Sequence, residues 1–255
     1  MFDVKDRIAR LRLNRSSLLK EKYVSNSPQE QASLFFSEIC GMDGMKENLF
    51  RALTSELQVN ILLLGPPATS KTLFMSTILK KCNDVFYFDA ANTTSAGLIE
   101  DLYHDRSAKL VIIDEIDKLK RNDLNSLLGL LNDGRIVKVL KNTRYDFTLE
   151  NVKVFATSNS LSSLSKPLRS RFQEYHLREY SDTEFLEVVC FCLQNKLPAE
   201  INEMIGMILL EFGVKDIRTA IGLANLIKNN DSREDVVRVV ENWINHKMEG
   251  NPDFN

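Results

Sequence analysis

The chain has 255 residues, 44% apolar and 27% charged, which suits a large core with a smaller companion domain and excludes a disordered chain. A formal net charge of −2 excludes a domain that holds nucleic acid by overall basicity, so any such contact must be local. Cys40, Cys82, Cys190 and Cys192 form no C-x-x-C pair and have only three histidines in company, which argues against zinc and disulfide frameworks and for buried thiols in a reducing compartment.

The first ten residues, "MFDVKDRIAR", put charge where a signal peptide needs its apolar run, and no apolar run approaches membrane-spanning length. The expectation is a soluble cytoplasmic protein. Residues 1–24 mix Lys5, Arg7, Arg10, Arg12, Arg15, Lys20 and Lys22 with Ile8, Leu11, Leu18 and Leu19 at roughly helical spacing. They read as a helical arm whose basic face is either solvated or docks on a neighbour or nucleic acid. The polar run "SNSPQEQAS" (25–33) reads as a linker that completes an N-terminal segment 1–36.

Apolar runs then alternate with helical patterns. "VNILLLG" (59–65), "VFYFDA" (85–90), "KLVIIDEID" (109–117) and "NVKVFATSN" (151–159) read as strands, with helical patterns between them in "TLFMSTILKK", "TSAGLIEDLYHD" and "DLNSLLGLLNDG". This order predicts an α/β fold over 37–178, a parallel sheet sandwiched by helices, with ligands beyond the carboxyl ends of its strands. Before the last of these strands, "GRIVKVLKNTRYDFTL" carries two β-prone runs around "KNTR" and predicts a hairpin near 134–150. Arg135, Lys138, Lys141 and Arg144 make it basic, either a contact for a protein or DNA partner or a solvated projection. From 179 to 248 the patterns are helical, opening on a capping box of Ser181 and Glu184, and predict a small domain of about four helices followed by a tail, 249–255.

The chemistry concentrates at strand ends. "GPPATSKT" (65–72) lies between an apolar strand and a helix, the context of a phosphate-binding loop. Backbone N–H groups from Gly65, Pro66, Pro67, Ala68, Thr69, Ser70, Lys71, Thr72 and Leu73, prolines excepted, would face the phosphates of ATP. Lys71 would neutralise the β and γ oxygens, and Thr72 would ligate Mg²⁺. Ser70 replaces the second glycine of G-x-x-x-x-G-K-[ST]; a left-handed backbone there would cost serine roughly 1 kcal/mol, whereas a helical one would ask only for a small side chain. Its place directly before Lys71 predicts the helical case. In "LVIIDEID", Asp114 is placed to hold Mg²⁺ through water and Glu115 to orient and deprotonate an attacking water. "VFATSN" offers Asn159, and "PLRSRF" offers Arg169 and Arg171.

The order of the phosphate loop, "IIDEID", "ATSN", "LRSRF" and a helical domain containing "KDIRTA" resembles the AAA+ ATPases over about residues 37–247, and within them the archaeal RuvB-like and MoxR-like branch. The resemblance implies a ring-forming ATPase with Mg²⁺, six subunits being the usual expectation. It makes Gly65 to Thr72 Walker A, Asp114 and Glu115 Walker B and Asn159 sensor 1. Arg171, or Arg169 in reserve, becomes an arginine finger acting in trans, Arg218 of "DIRTA" becomes sensor 2 on the lid, and "EICGMDGMKENL" (38–49) the segment beside the adenine. RuvB helicases continue into a winged helix beyond the lid, whereas this sequence ends about ten residues past it. The expectation is therefore a remodeller of a macromolecular partner, with a nucleotide-dependent scaffold or a helicase subunit as the other readings.

Overall fold

Apolar strands without polar interruption can be buried on both faces only inside a layered fold, and that is where the chain puts them. The computed structural model describes residues 18–19, 27–140, 143–228 and 231–249. They divide into two compact units, with the break between Arg178 and Glu179.

In the first unit, α1 (Pro28–Phe35) and α2 (Asp43–Thr54) precede β1 (Ile61–Leu64). There follow α3 (Lys71–Lys81), β2 (Val85–Asp89), α4 (Ser95–His104), β3 (Leu110–Asp114) and a 3-10 turn, Ile116–Lys118. Next come α5 (Arg121–Ser126), α6 (Leu128–Asp133), the antiparallel pair β4 (Arg135–Leu140) and β5 (Thr143–Thr148), then β6 (Lys153–Ser158), α7 (Lys166–Arg169) and β7 (Gln173–His176). The sheet is parallel and five-stranded, in the order β2-β3-β6-β1-β7.

Alternation along each strand sends side chains to two cores. Leu62, Leu64, Val111, Ile113, Val154 and Ala156 pack with residues of α4, α5 and α6. Ile61, Leu63, Leu110, Ile112 and Phe155 pack with α1, α2 and α3. The result is a sheet covered by helices on both faces, as the alternating sequence pattern predicts.

Three local expectations need correction. The stretch 25–33, expected as a linker, contains most of α1, because Ser27 caps the helix by accepting from the Glu30 N–H, Pro28 opens it, and Ala32 and Phe35 are buried. Leu18 and Leu19, expected on a helix, lie instead against the end of α3: Leu19 bridges Cys82 in antiparallel fashion and the Leu18 carbonyl accepts from Asn83 N–H at 2.6 Å. The remainder of the basic arm is outside the described residues. Among the cysteines, Cys82 is buried while Cys40, Cys190 and Cys192 are only partly so.

The second unit is helical, with α8 (Asp182–Leu193), α9 (Ala199–Glu211), α10 (Ile217–Ala224) and α11 (Arg233–Glu249). Ser181 and Glu184 form a reciprocal capping box at the start of α8. Among the described residues no helix is long and apolar enough to cross a membrane.

Candidate functional site

The strand β1 delivers the chain to the loop 65–70 at the carboxyl edge of the sheet. Gly65 is needed there because a Cβ would lie 2.4 Å from the Leu177 carbonyl oxygen. Its N–H donates to Ser158 O at 3.2 Å, which sets the start of the loop beside the end of β6 and Asn159. Thr69 is buried, and its hydroxyl donates to Pro66 O at 2.7 Å, closing the loop on itself. Lys71 is buried too, its Nζ donating to Gly65 O at 2.7 Å, Pro66 O at 2.6 Å and Thr69 Oγ1 at 3.2 Å. The ammonium thus lies over the loop where a phosphate's charge would offset it. Thr72 is exposed at the first turn of α3, and Pro66, Pro67 and Leu73 line the loop and helix start with partial or full exposure.

Ser70 differs from expectation. It is the N-cap of α3 with φ 63° and ψ 5°, a left-handed conformation rather than a helical one, and Ala68 is also left-handed, at φ 64°. Both positions have the backbone that glycine adopts without cost, held here by residues with a Cβ.

The acidic pair is built by three neighbouring strands. Asp114 ends β3 and is 8% exposed. The Thr157 hydroxyl of β6 donates to its Oδ1, and the Tyr87 hydroxyl of β2 donates to its Oδ2 at 3.2 Å. Partial burial, then the charge of Asp114, pushes the Tyr87 hydroxyl up to about 12, so it stays a donor. Thr157 Oγ1 also accepts from the Glu115 N–H at 2.8 Å. Glu115 stands at φ 53°, and its Oε1 accepts from Asn159 Nδ2 at 3.1 Å, while the Asn159 N–H donates to Asp117 Oδ1 at 3.1 Å. Four hydrogen bonds therefore stitch the ends of β3 and β6 and bring Asp114, Glu115 and Asn159 together. Local sequence pattern does not single out Tyr87, Thr157 or Asp117.

Of the two arginines after α7, Arg169 forms a two-pronged pair with Glu174, at 2.7 and 2.8 Å, and holds that carboxyl below its ordinary value. Arg171 donates to the Pro167 carbonyl, while its buried Nε has no hydrogen-bond partner among the described residues. Buried Asn60 steadies this segment, donating to Leu131 O at 2.7 Å and Arg171 O at 3.2 Å. Arg218, in the second unit, is exposed on α10, with Nε 3.8 Å from Asp216.

The hairpin's described cations each have an acidic neighbour. Arg135 and Arg144 both pair with Asp146, at 3.2 and 3.3 Å, and Lys138 faces Asp123 at 3.5 Å. Lys141 lies outside the described residues. Tyr145 and Phe147 turn inward onto Tyr103 of α4, with ring centroids 5.1 and 5.5 Å away.

The oxygen donors Thr72 and Asp114 suit a hard divalent cation. Among the described residues no cluster of three or more His, Cys, Asp or Glu encloses a metal, so a cation here would take further oxygens from phosphate and water, as magnesium characteristically does.

A phosphate-type loop beside an acidic strand end on a parallel sheet of this order defines the AAA+ type of P-loop fold. Residues 61–180 match the family AAA, the ATPase family associated with various cellular activities. The chain is 27% identical over 192 residues to Lon protease 2 of Borreliella burgdorferi, covering 64% of this chain and 24% of the relative. It is 24% identical over 239 residues to the proteasome-activating nucleotidase of Saccharolobus solfataricus, covering 81% and 60%. The chain thus spans less than two thirds of these relatives. Among solved structures, a point mutant of RuvB from Thermotoga maritima shares the fold with a TM-score of 0.60 at 20% identity, covering 81% of this chain and 71% of that one.

Proposed function

We propose that the chain binds ATP with Mg²⁺ and hydrolyses it as an oligomeric AAA+ ATPase that remodels a protein partner. The observation that carries this reading is the linked group Asp114, Thr157, Glu115 and Asn159 at the strand ends beside a loop that buries Lys71. In this reading the loop N–H groups bind the phosphates and Lys71 leaves the Gly65 and Pro66 carbonyls to pair with them. Magnesium, held by Thr72 and through water by Asp114, would neutralise charge on the phosphate oxygens. Glu115 takes the proton of the attacking water through its carboxylate, and Asn159 holds that carboxylate in place.

Arg171, rather than Arg169, is the arginine for a neighbour's nucleotide, since Arg169 already has a two-pronged carboxylate partner. Arg218, on the helical unit, keeps the sensor 2 role that the resemblance gives it. A protein partner is favoured over DNA because the hairpin's described cations face Asp146 and Asp123, whose carboxylates partly offset the charge that would displace counterions from a phosphate backbone. RuvB-like architecture and the scaffold and helicase readings are distinguished by the same experiment. ATP affinity and steady-state ATP turnover are measured for wild type and Lys71→Ala, together with the mass of the assembly in ATP, in ADP and without nucleotide, each with and without DNA. The expected result is loss of ATP binding in Lys71→Ala and nucleotide-dependent assembly indifferent to DNA. Equal affinity in the variant would remove the loop assignment, and assembly or turnover driven by DNA would restore the helicase reading.

A further inference from the structure

Tyr87 makes a bond that its own position does not require. It is on β2, an edge strand, and 42% of the residue is exposed, so full burial does not force a protein partner on it. The hydroxyl nevertheless donates to Oδ2 of Asp114, and the partner that gains is the carboxylate, which is only 8% exposed. Tyr87 lies opposite Ile112, two positions short of Asp114. A diagonal reach of that kind suits a long aromatic side chain. The other carboxylate oxygen takes the Thr157 hydroxyl, and the two donors arrive from strands on opposite sides of β3.

A carboxylate turns freely about its last side-chain torsion, which has broad, shallow preferences. One donor on each oxygen removes that freedom. A cation held through water needs this, because the waters it carries must meet lone pairs at fixed directions, and magnesium tolerates little departure from octahedral geometry. Thr157 alone cannot supply it, since a single donor leaves the carboxylate free to pivot about that bond.

We propose that Tyr87 is a positioning residue for the divalent cation held through Asp114, fixing the carboxylate plane from the side that Thr157 does not reach. The proposal rests on the cation role given to Asp114 above. Groups that orient a ligating carboxylate change metal affinity when removed, by about tenfold or more. Tyr87→Phe keeps the ring and removes the donor, so the effect belongs to the cation and not to the phosphate loop.

The test uses the full chain with Mn²⁺ as the paramagnetic probe and a non-hydrolysable ATP analogue, reading free Mn²⁺ by electron paramagnetic resonance. In Tyr87→Phe the Mn²⁺ affinity is expected to fall about tenfold, while affinity for the analogue in EDTA stays at the wild-type value. Wild-type Mn²⁺ affinity in Tyr87→Phe would overturn the proposal, as would an equal fall in both affinities, which would mark general damage to the pocket. Asp114→Asn in the same assay separates the layers. If it binds Mn²⁺ as wild type does, the cation role of Asp114 fails and the Tyr87 proposal with it. If it loses Mn²⁺ while Tyr87→Phe does not, only the Tyr87 assignment fails.

Discussion

Ser70 and Ala68 carry the sharpest residue-level consequence of the structure. Each holds a left-handed backbone, φ 63° and 64°, which disfavours a residue with a Cβ by roughly 1–2 kcal/mol. Glycine at either place relieves that cost and gives part of it back in unfolded-chain entropy. Ser70→Gly is therefore expected to raise the stability of the free protein by about 1 kcal/mol, read by urea denaturation. A loss of stability would mean that serine's side chain, not its backbone, governs the position. The helical conformation expected from the sequence failed because Ser70 is the cap before α3 begins, one residue earlier than the helix itself.

At the scale of elements, Lys153 shows how a strand is tied to a helix. Its side chain is buried in β6 and its Nζ donates to Leu53 O and Ser55 O, both at 2.7 Å, at the end of α2. Burial lowers its ammonium to about 8. A lysine lowered in the folded state binds fewer protons there than when unfolded, so the charge-burial cost is present below about pH 8 and lifts as pH rises towards the unfolded value near 10.5. Relative to Lys153→Met, wild type should gain stability across that window, by at most about 3.5 kcal/mol at about 1.4 kcal/mol per pKa unit. Parallel denaturation curves at pH 7 and pH 10 measure it, and a constant difference would show that the amine does not titrate there.

The same scale shows what the sequence made legible. β1, β3 and β6 could be read because continuous apolar runs have no other stable place than a doubly covered sheet. β7 could not, since Gln173, Glu174, Tyr175 and His176 form a polar strand at the sheet's edge. α1 was hidden because serine and proline mark turns as well as helix starts. In the site, the loop and the acidic pair follow from local spacing. Tyr87 and Thr157 do not, because they meet Asp114 across 27 and 43 residues of chain, and only strand order and register bring them together.

For the whole molecule, the proposal requires one subunit to complete another's site. Glu115→Gln and Arg171→Ala are each expected to lose turnover, and mixing the two inactive variants should restore part of it, because one supplies the arginine and the other the carboxylate. Failure of the mixture to recover any turnover, with mixed assemblies verified by mass, would place Arg171 in its own subunit's structure, where Pro167 already accepts from it.

The most direct measurement is steady-state release of phosphate from Mg-ATP by wild type and Glu115→Gln, with ATP binding measured on the same samples. Wild type should turn over ATP, and Glu115→Gln should bind it while losing at least about 100-fold in rate, the share that a positioned general base contributes. Equal rates in the two proteins, or a wild type that binds no ATP, would contradict the account.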